Sequence, residues 1–175
     1  ASLTRSVQSP QRLEFGNGSM ILGLSAGSGS GKGGSSIRGQ GATKIYLDET
    51  DFLTEADINS IMGMQLEDME NIGIWCASTP TGQRKKFWEW CTYASKTYSI
   101  TDKDKWLATK DVDKCEEVSI RDDDLANGWT QYHYPSWVSP NWSDEMEAEL
   151  KSMFSAQGYI HEVEAEFGDA TTGVY

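Results

Sequence analysis

Histidine, cysteine and proline are scarce in this chain, which has only two, three and four of them in 175 residues. Cys76, Cys91 and Cys115 are odd in number and far apart, a spacing that fits neither a disulfide framework nor a zinc motif. They read as reduced, structural residues. His133 and His161 are equally isolated, so no metal centre is expected from imidazole or thiolate. No apolar run approaches the roughly 20 residues that span a bilayer. The polar stretch Ala1 to Gln11 lacks the apolar core of a secretory signal, so membrane passage is not expected. Basic residues are also few, 15 against 27 acidic, giving a net charge of -12. Passive binding to nucleic acid needs Lys and Arg to neutralise phosphate, and the whole-chain balance argues against it.

That balance is uneven. Residues 1–44 hold Arg5, Arg12, Lys32, Arg38 and Lys44 against Glu14 alone, while the remainder is strongly acidic, so contact with a polyphosphate is expected from the first quarter. Hydrophobic residues at 38% and charged residues at 24% are those of a globular protein, and the length suits one domain with a sizeable core.

Two short apolar-rich runs, Leu13 to Phe15 and Ser19 to Leu24, flank Gly16-Asn17-Gly18, which predicts a β-hairpin over 12–25. Residues 25–36 are almost wholly Gly and Ser with one Lys and read as a surface loop. The run Lys44 to Leu47 leads into Asp48-Glu49, the profile of a buried parallel strand with acids at its C-terminal tip, which is where open α/β sheets bind ligands. Thr54 and Asp57 open a helix carrying Ile58, Ile61 and Met62. A second buried strand, over 72–77, ends in Ser78-Thr79-Pro80-Thr81-Gly82. A helix presenting Phe87, Trp90, Cys91 and Ala94 follows, then a charged loop over 102–114, then strands at Glu117 to Ile120 and Trp129 to Tyr134. Ser143 opens a helix with Met146, Leu150, Met153 and Phe154, and Ile160, Val163 and Phe167 mark the last one. Strands alternating with helices predict an α/β fold.

Adjacent Asp48 and Glu49 offer what a nucleotide-hydrolysing site needs, one carboxylate to hold Mg²⁺ and another to orient and deprotonate water. Two solvated acids ending a strand would look the same. The surrounding order is more specific: Phe15-Gly16-Asn17-Gly18-Ser19, then Ile37-Arg38-Gly39-Gln40-Gly41, then Ile45 to Glu49, then Ala77 to Gly82. In that order and spacing the chain resembles the large terminase family of viral DNA-packaging motors. There an NGS hairpin and an RG element precede the Walker B strand, and a Ser/Thr-Thr-Pro-x-Gly segment ends the next strand and acts as the coupling motif that senses the γ-phosphate. Glu162 to Tyr175 is similar to the family's E-x-x-x-E-F helix and the link toward its nuclease domain.

The resemblance implies a partial RecA-like P-loop ATPase sheet of the ASCE type with flanking helices, lacking the P-loop segment and spanning residues 1–175. Its parts would be the hairpin at 12–25, the Gly/Ser loop at 25–36, the Walker B strand at 44–49, the strand and coupling motif at 72–82, and C-terminal helices and linker over 143–175. Asp48 would be the Mg²⁺ ligand, Glu49 the catalytic base, Ser78 and Thr79 the coupling pair, and Arg38 a contact to phosphate or to a neighbouring subunit. The implied cofactors are Mg²⁺ and ATP in the complete protein. The implied partners are double-stranded DNA, the portal protein, the small terminase subunit and further copies of the chain, and the implied location is the host cytoplasm at the procapsid portal.

The family's phosphate-binding loop is not recognisable. Ala26 to Gly33 has Lys32 but carries Gly33 where Ser or Thr should bind Mg²⁺, so these residues alone are expected to be inactive. Asp122-Asp123-Asp124 reads as a solvated turn, and Trp129, Tyr132, Tyr134, Trp137 and Trp142, in acidic surroundings, read as core and surface packing residues. A helicase-like ATPase fragment and a non-enzymatic α/β assembly module remain alternatives, because a DE strand tip occurs in the first and is incidental in the second.

Overall fold

A computed structural model describes residues 2–8, 11–25, 41–65 and 73–169. The fold is mixed α/β, with three sheets and six α-helices among these residues. The chain divides into two compact units, one comprising 1–46 and 53–75 and the other 47–52 and 76–175.

In the first unit, β1 (Leu3–Gln8), β2 (Gln11–Phe15) and β3 (Met20–Gly23) form an antiparallel sheet in that order. The turn between β2 and β3 is closed by Phe15 and Gly18 N–H bonds and by Asn17, whose side-chain oxygen accepts from the Ser19 N–H and hydroxyl. Strand β1 was not anticipated. Its residues are mostly polar and exposed, so its pairing rests on the backbone ladder to β2, which hydrophobic periodicity does not reveal. Helix α1 (Glu55–Met62) starts at a reciprocal box: Thr54 accepts from the Asp57 N–H, and the Asp57 carboxylate accepts from the Thr54 N–H. Ile58 and Ile61 are buried on it, and a 3-10 turn, Gly63–Gln65, follows.

Strands β4 (Lys44–Leu47) and β5 (Gly73–Cys76) pair as a two-stranded sheet. The Gly73 N–H bonds the Thr43 carbonyl and the Ala77 N–H bonds the Leu47 carbonyl, a constant offset that makes the pair parallel.

In the second unit, β6 (Lys96–Ser99) is central to a mixed sheet, antiparallel to β7 (Glu117–Ile120) and parallel to β8 (Thr130–His133). Helix α2 (Lys86–Thr92) precedes β6. The stretch expected as a charged loop over 102–114 is instead α3 (Lys103–Thr109) and α4 (Val112–Cys115). Asp102 caps α3 through the Lys105 N–H, and Trp106 and Cys115 enter the core. The charged residues between them had masked two short turns with one buried anchor each. Helices α5 (Asp144–Met153) and α6 (Ala156–Glu162) are capped by Ser143 and Ser155. Of the stretch expected to be helical through Phe167, Ile160 and Glu162 lie in α6 but Val163 to Phe167 lie beyond it, and Ala165 has a φ of 55° that no right-handed helix accommodates.

The core of this unit gathers Ile100, Trp106, Cys115, Trp137, Trp142 and Val163, with Leu107, Val138, Leu150, Phe154 and Tyr159 packed against it. Trp137 and Trp142 pack in this core, Trp129 stacks on Trp90, and Tyr132 and Tyr134 pack against each other on the exposed surface.

Candidate active site at the tips of strands β4 and β5

Strand β4 stops at Leu47, and the chain bends so that Asp48 and Glu49 fall just beyond the ladder, both exposed. The Asp48 carboxylate accepts the Glu49 N–H at 3.1 Å, and Glu49 takes a φ of 52°, a left-handed conformation unusual for a residue with a Cβ. A 3-10 turn, Thr50–Phe52, follows immediately.

This turn is bonded to the segment that follows β5. The Thr50 N–H donates to the Ala77 carbonyl at 3.1 Å, and the Thr50 hydroxyl lies 3.3 Å from both the Leu47 and Ala77 carbonyls. The Asp51 N–H donates to Ser78 Oγ at 3.0 Å, and the Ser78 hydroxyl in turn donates to the Thr79 carbonyl. One oxygen of the Asp51 carboxylate accepts from the Thr81 N–H at 2.7 Å and from the Thr81 hydroxyl at 2.6 Å. Lys85 Nζ donates to the Asp51 carbonyl at 3.3 Å. Gly82 closes the segment with a φ of 76°, and a Cβ there would lie 3.0 Å from the His161 ring, so backbone and space both call for glycine.

Thr50, Asp51 and Thr81 are all but inaccessible, at 2%, 0% and 2% exposure. The second Asp51 oxygen, Oδ1, is buried with no hydrogen-bond partner. Two half-buried thiols belong to the same unit. Burial pushes the Cys91 thiol up to about 12, with the Asp51 and Cys76 charges adding to the rise. Burial also pushes Cys76 up to about 11, partly opposed by a hydrogen bond from Thr50.

Two of the sequence-derived groups are therefore joined: the turn carrying Asp48 and Glu49 is hydrogen-bonded to the segment carrying Ser78 and Thr79. Ser78 acts through its hydroxyl, and Thr79 is half-buried and supplies a carbonyl. Arg38 and most of the Gly/Ser stretch lie outside the described residues. Asp122 to Asp124 form an exposed turn in which Asp123 accepts from the Arg121 guanidinium and the Leu125 N–H. No group of three or more His, Cys, Asp or Glu side chains among the described residues is arranged to hold a metal ion. None of the helices among those residues is long and apolar enough to cross a membrane.

Sequence reasoning missed Asp51, Thr81 and Lys85. Asp51 reads as one more acid after Asp48 and Glu49, and its burial becomes visible only when the two strand ends are brought together. No family model matches this chain, and no curated protein or solved structure matches it either.

Proposed function

We propose that this chain forms part of the ATPase domain of a viral large terminase, whose complete form hydrolyses ATP to move double-stranded DNA into a procapsid. The observation that carries this reading is the hydrogen-bonded junction between 48–51 and 77–81. A catalytic turn and a coupling segment must communicate, and here they share Thr50–Ala77, Asp51–Ser78 and Asp51–Thr81 bonds. The parallel β4–β5 pair is compatible with two neighbouring strands of a RecA-like sheet.

The donor chemistry fits Mg²⁺-ATP. Mg²⁺ prefers hard oxygen ligands and is usually held by one or two carboxylates plus substrate phosphates, so a closed protein cage of three acids is not required. Asp48 would hold the ion, and the ion would supply charge neutralisation to the phosphates. Glu49, exposed beside it on the bend, would orient the attacking water and accept its proton. Ser78 and Thr79 would sense the phosphate through the junction, and Arg38 would meet a phosphate or the next subunit. The portal protein, the small terminase subunit and further copies of the chain follow as partners, at the procapsid portal in the host cytoplasm.

A titration of Mg²⁺-ATP tests the reading, using this chain alone and together with a terminase phosphate-binding segment. Hydrolysis that appears only in the mixture and disappears with Asp48→Asn supports it. An inactive mixture in which the two parts nonetheless associate would count against it and favour an assembly module.

A further inference from the structure

We infer that Lys44, Tyr46 and Trp75 form a stacking platform for an unpaired nucleobase, with Lys44 placed to meet the adjoining phosphate. The inference concerns the outer face of β4 and β5 and does not rest on the ATPase reading. A duplex offers no free base faces along its length, so single-stranded nucleic acid is the partner class.

Along β4 the side chains alternate: Ile45 is 8% exposed, whereas Tyr46 on the other face is 73% exposed. The Tyr46 and Trp75 rings stack, with centroids 5.0 Å apart and planes 16° from parallel. Trp75 is itself 48% exposed, and the Lys44 ammonium lies 5.0 Å from the centre of its ring. The indole lies over Gly73, where an added Cβ would come within 2.5 Å of two ring atoms. Glycine at 73 therefore leaves room for the indole to lean back along its own strand. The result is a solvent-exposed pair of stacked rings, Tyr46 the more exposed of the two, beside a positive charge. These are the two components of sequence-tolerant binding to single strands, a ring on which any base can stack and a cation for the backbone. Lys44 also ends the basic quarter of an otherwise acidic chain, so charge complementarity selects an anionic occupant.

A second surface provides an internal control. Lys96 lies over Tyr98, which stacks on Tyr132 at 5.0 Å and 5°, repeating the Lys-x-Tyr pattern on β6 and β8. There, however, Tyr134 donates to the Glu116 carboxylate and packs against Tyr132, which puts an acid where a phosphate would have to pass. Repulsion should keep this second surface from serving as a platform.

The test is fluorescence anisotropy of a labelled oligothymidylate with the 175-residue chain at low ionic strength. Saturable binding is expected, and Tyr46→Ala or Trp75→Ala should each weaken it by about five- to 150-fold, the range for losing one stacked base. Tyr46→Phe keeps the ring and should bind as wild type does, which guards against reading a folding defect as lost binding. Lys44→Gln should reduce the slope of log affinity against log salt by about 0.7. Tyr132→Ala should change nothing, and blunt duplex of equal length should compete poorly. The inference is overturned by absence of saturable binding, by duplex competing as well as single strand, or by Tyr132→Ala weakening binding as much as Tyr46→Ala. It is equally overturned if Tyr46→Ala alters the sedimentation coefficient and leaves affinity unchanged, because the face would then be a protein-docking surface.

Discussion

Asp51 is the residue on which the junction depends. Its carboxylate takes both the backbone N–H and the hydroxyl of Thr81 while fully buried. Asp51→Ala strands two donors without water and should cost about 3 kcal/mol, because an unmet buried hydrogen-bonding group loses its solvation with no return. Asp51→Asn keeps an oxygen for Thr81 and should cost about 1 kcal/mol. Urea unfolding of both variants checks the contrast, and equal losses would mean that charge, not the Thr81 bonds, is what Asp51 contributes. The cysteines give a second expectation. With Cys91 pushed up to about 12 and Cys76 to about 11, both are thiols at pH 8. Because the thiolate is the nucleophile, native-state alkylation of these two should run about a hundredfold or more slower than in the urea-unfolded chain. At this scale the sequence was legible only in part. Asp48, Glu49 and Ser78 stand out by residue type and order, but Asp51 and Thr81 owe their importance to burial, which a string of polar residues does not announce.

Among the elements, helix starts were the most readable, because a cap is a local chemical event. Thr54 with Asp57 and Ser143 with its acidic first turn both mark observed N-termini. Thr54→Ala should destabilise the first unit by about 1 kcal/mol, measurable by thermal unfolding. Helices α3 and α4 escaped because each is only a turn or two long and its apolar content is Trp106 with Leu107, or Val112 with Cys115, too little for a period to register. What ties α3 to α5 is also invisible in sequence. Glu147 accepts from Lys103 at 2.7 Å, pairs with Lys151 one turn on at 2.6 Å, and is reached by the Tyr159 hydroxyl at 3.3 Å. The hydrogen bonds from Lys103 and then Lys151 hold its carboxyl down to about 2, below its ordinary 4.5. A depressed folded-state value means that the stabilisation is full above about 4.5 and is lost as pH falls toward 2. Glu147→Gln should therefore be about 1 kcal/mol less stable than wild type at pH 7 and indistinguishable from it near pH 2, as read by denaturant midpoints.

At the scale of the whole molecule, the alternation of strands and helices correctly signalled an α/β fold but not how the strands are shared out. They fall into three sheets among the described residues, because pairing depends on partners such as exposed β1 and half-exposed β6, whose largely polar residues carry no strong periodicity. The parallel β4–β5 pair is the part on which the proposed function rests, since the acidic bend that follows β4 is bonded to the Ser78–Thr81 segment that follows β5. The chemistry proposed there makes two neighbouring carboxylates do different things, and that separation is the central claim. Its most direct measurement is single-turnover ATP hydrolysis, with nucleotide affinity determined in parallel, for Glu49→Gln and Asp48→Asn in the complete motor polypeptide. Glu49→Gln should lower hydrolysis by about 10²- to 10⁴-fold with ATP still bound, because it removes the base and keeps the shape. Asp48→Asn should instead weaken Mg²⁺-dependent nucleotide binding. Hydrolysis at the wild-type rate in Glu49→Gln would contradict the account.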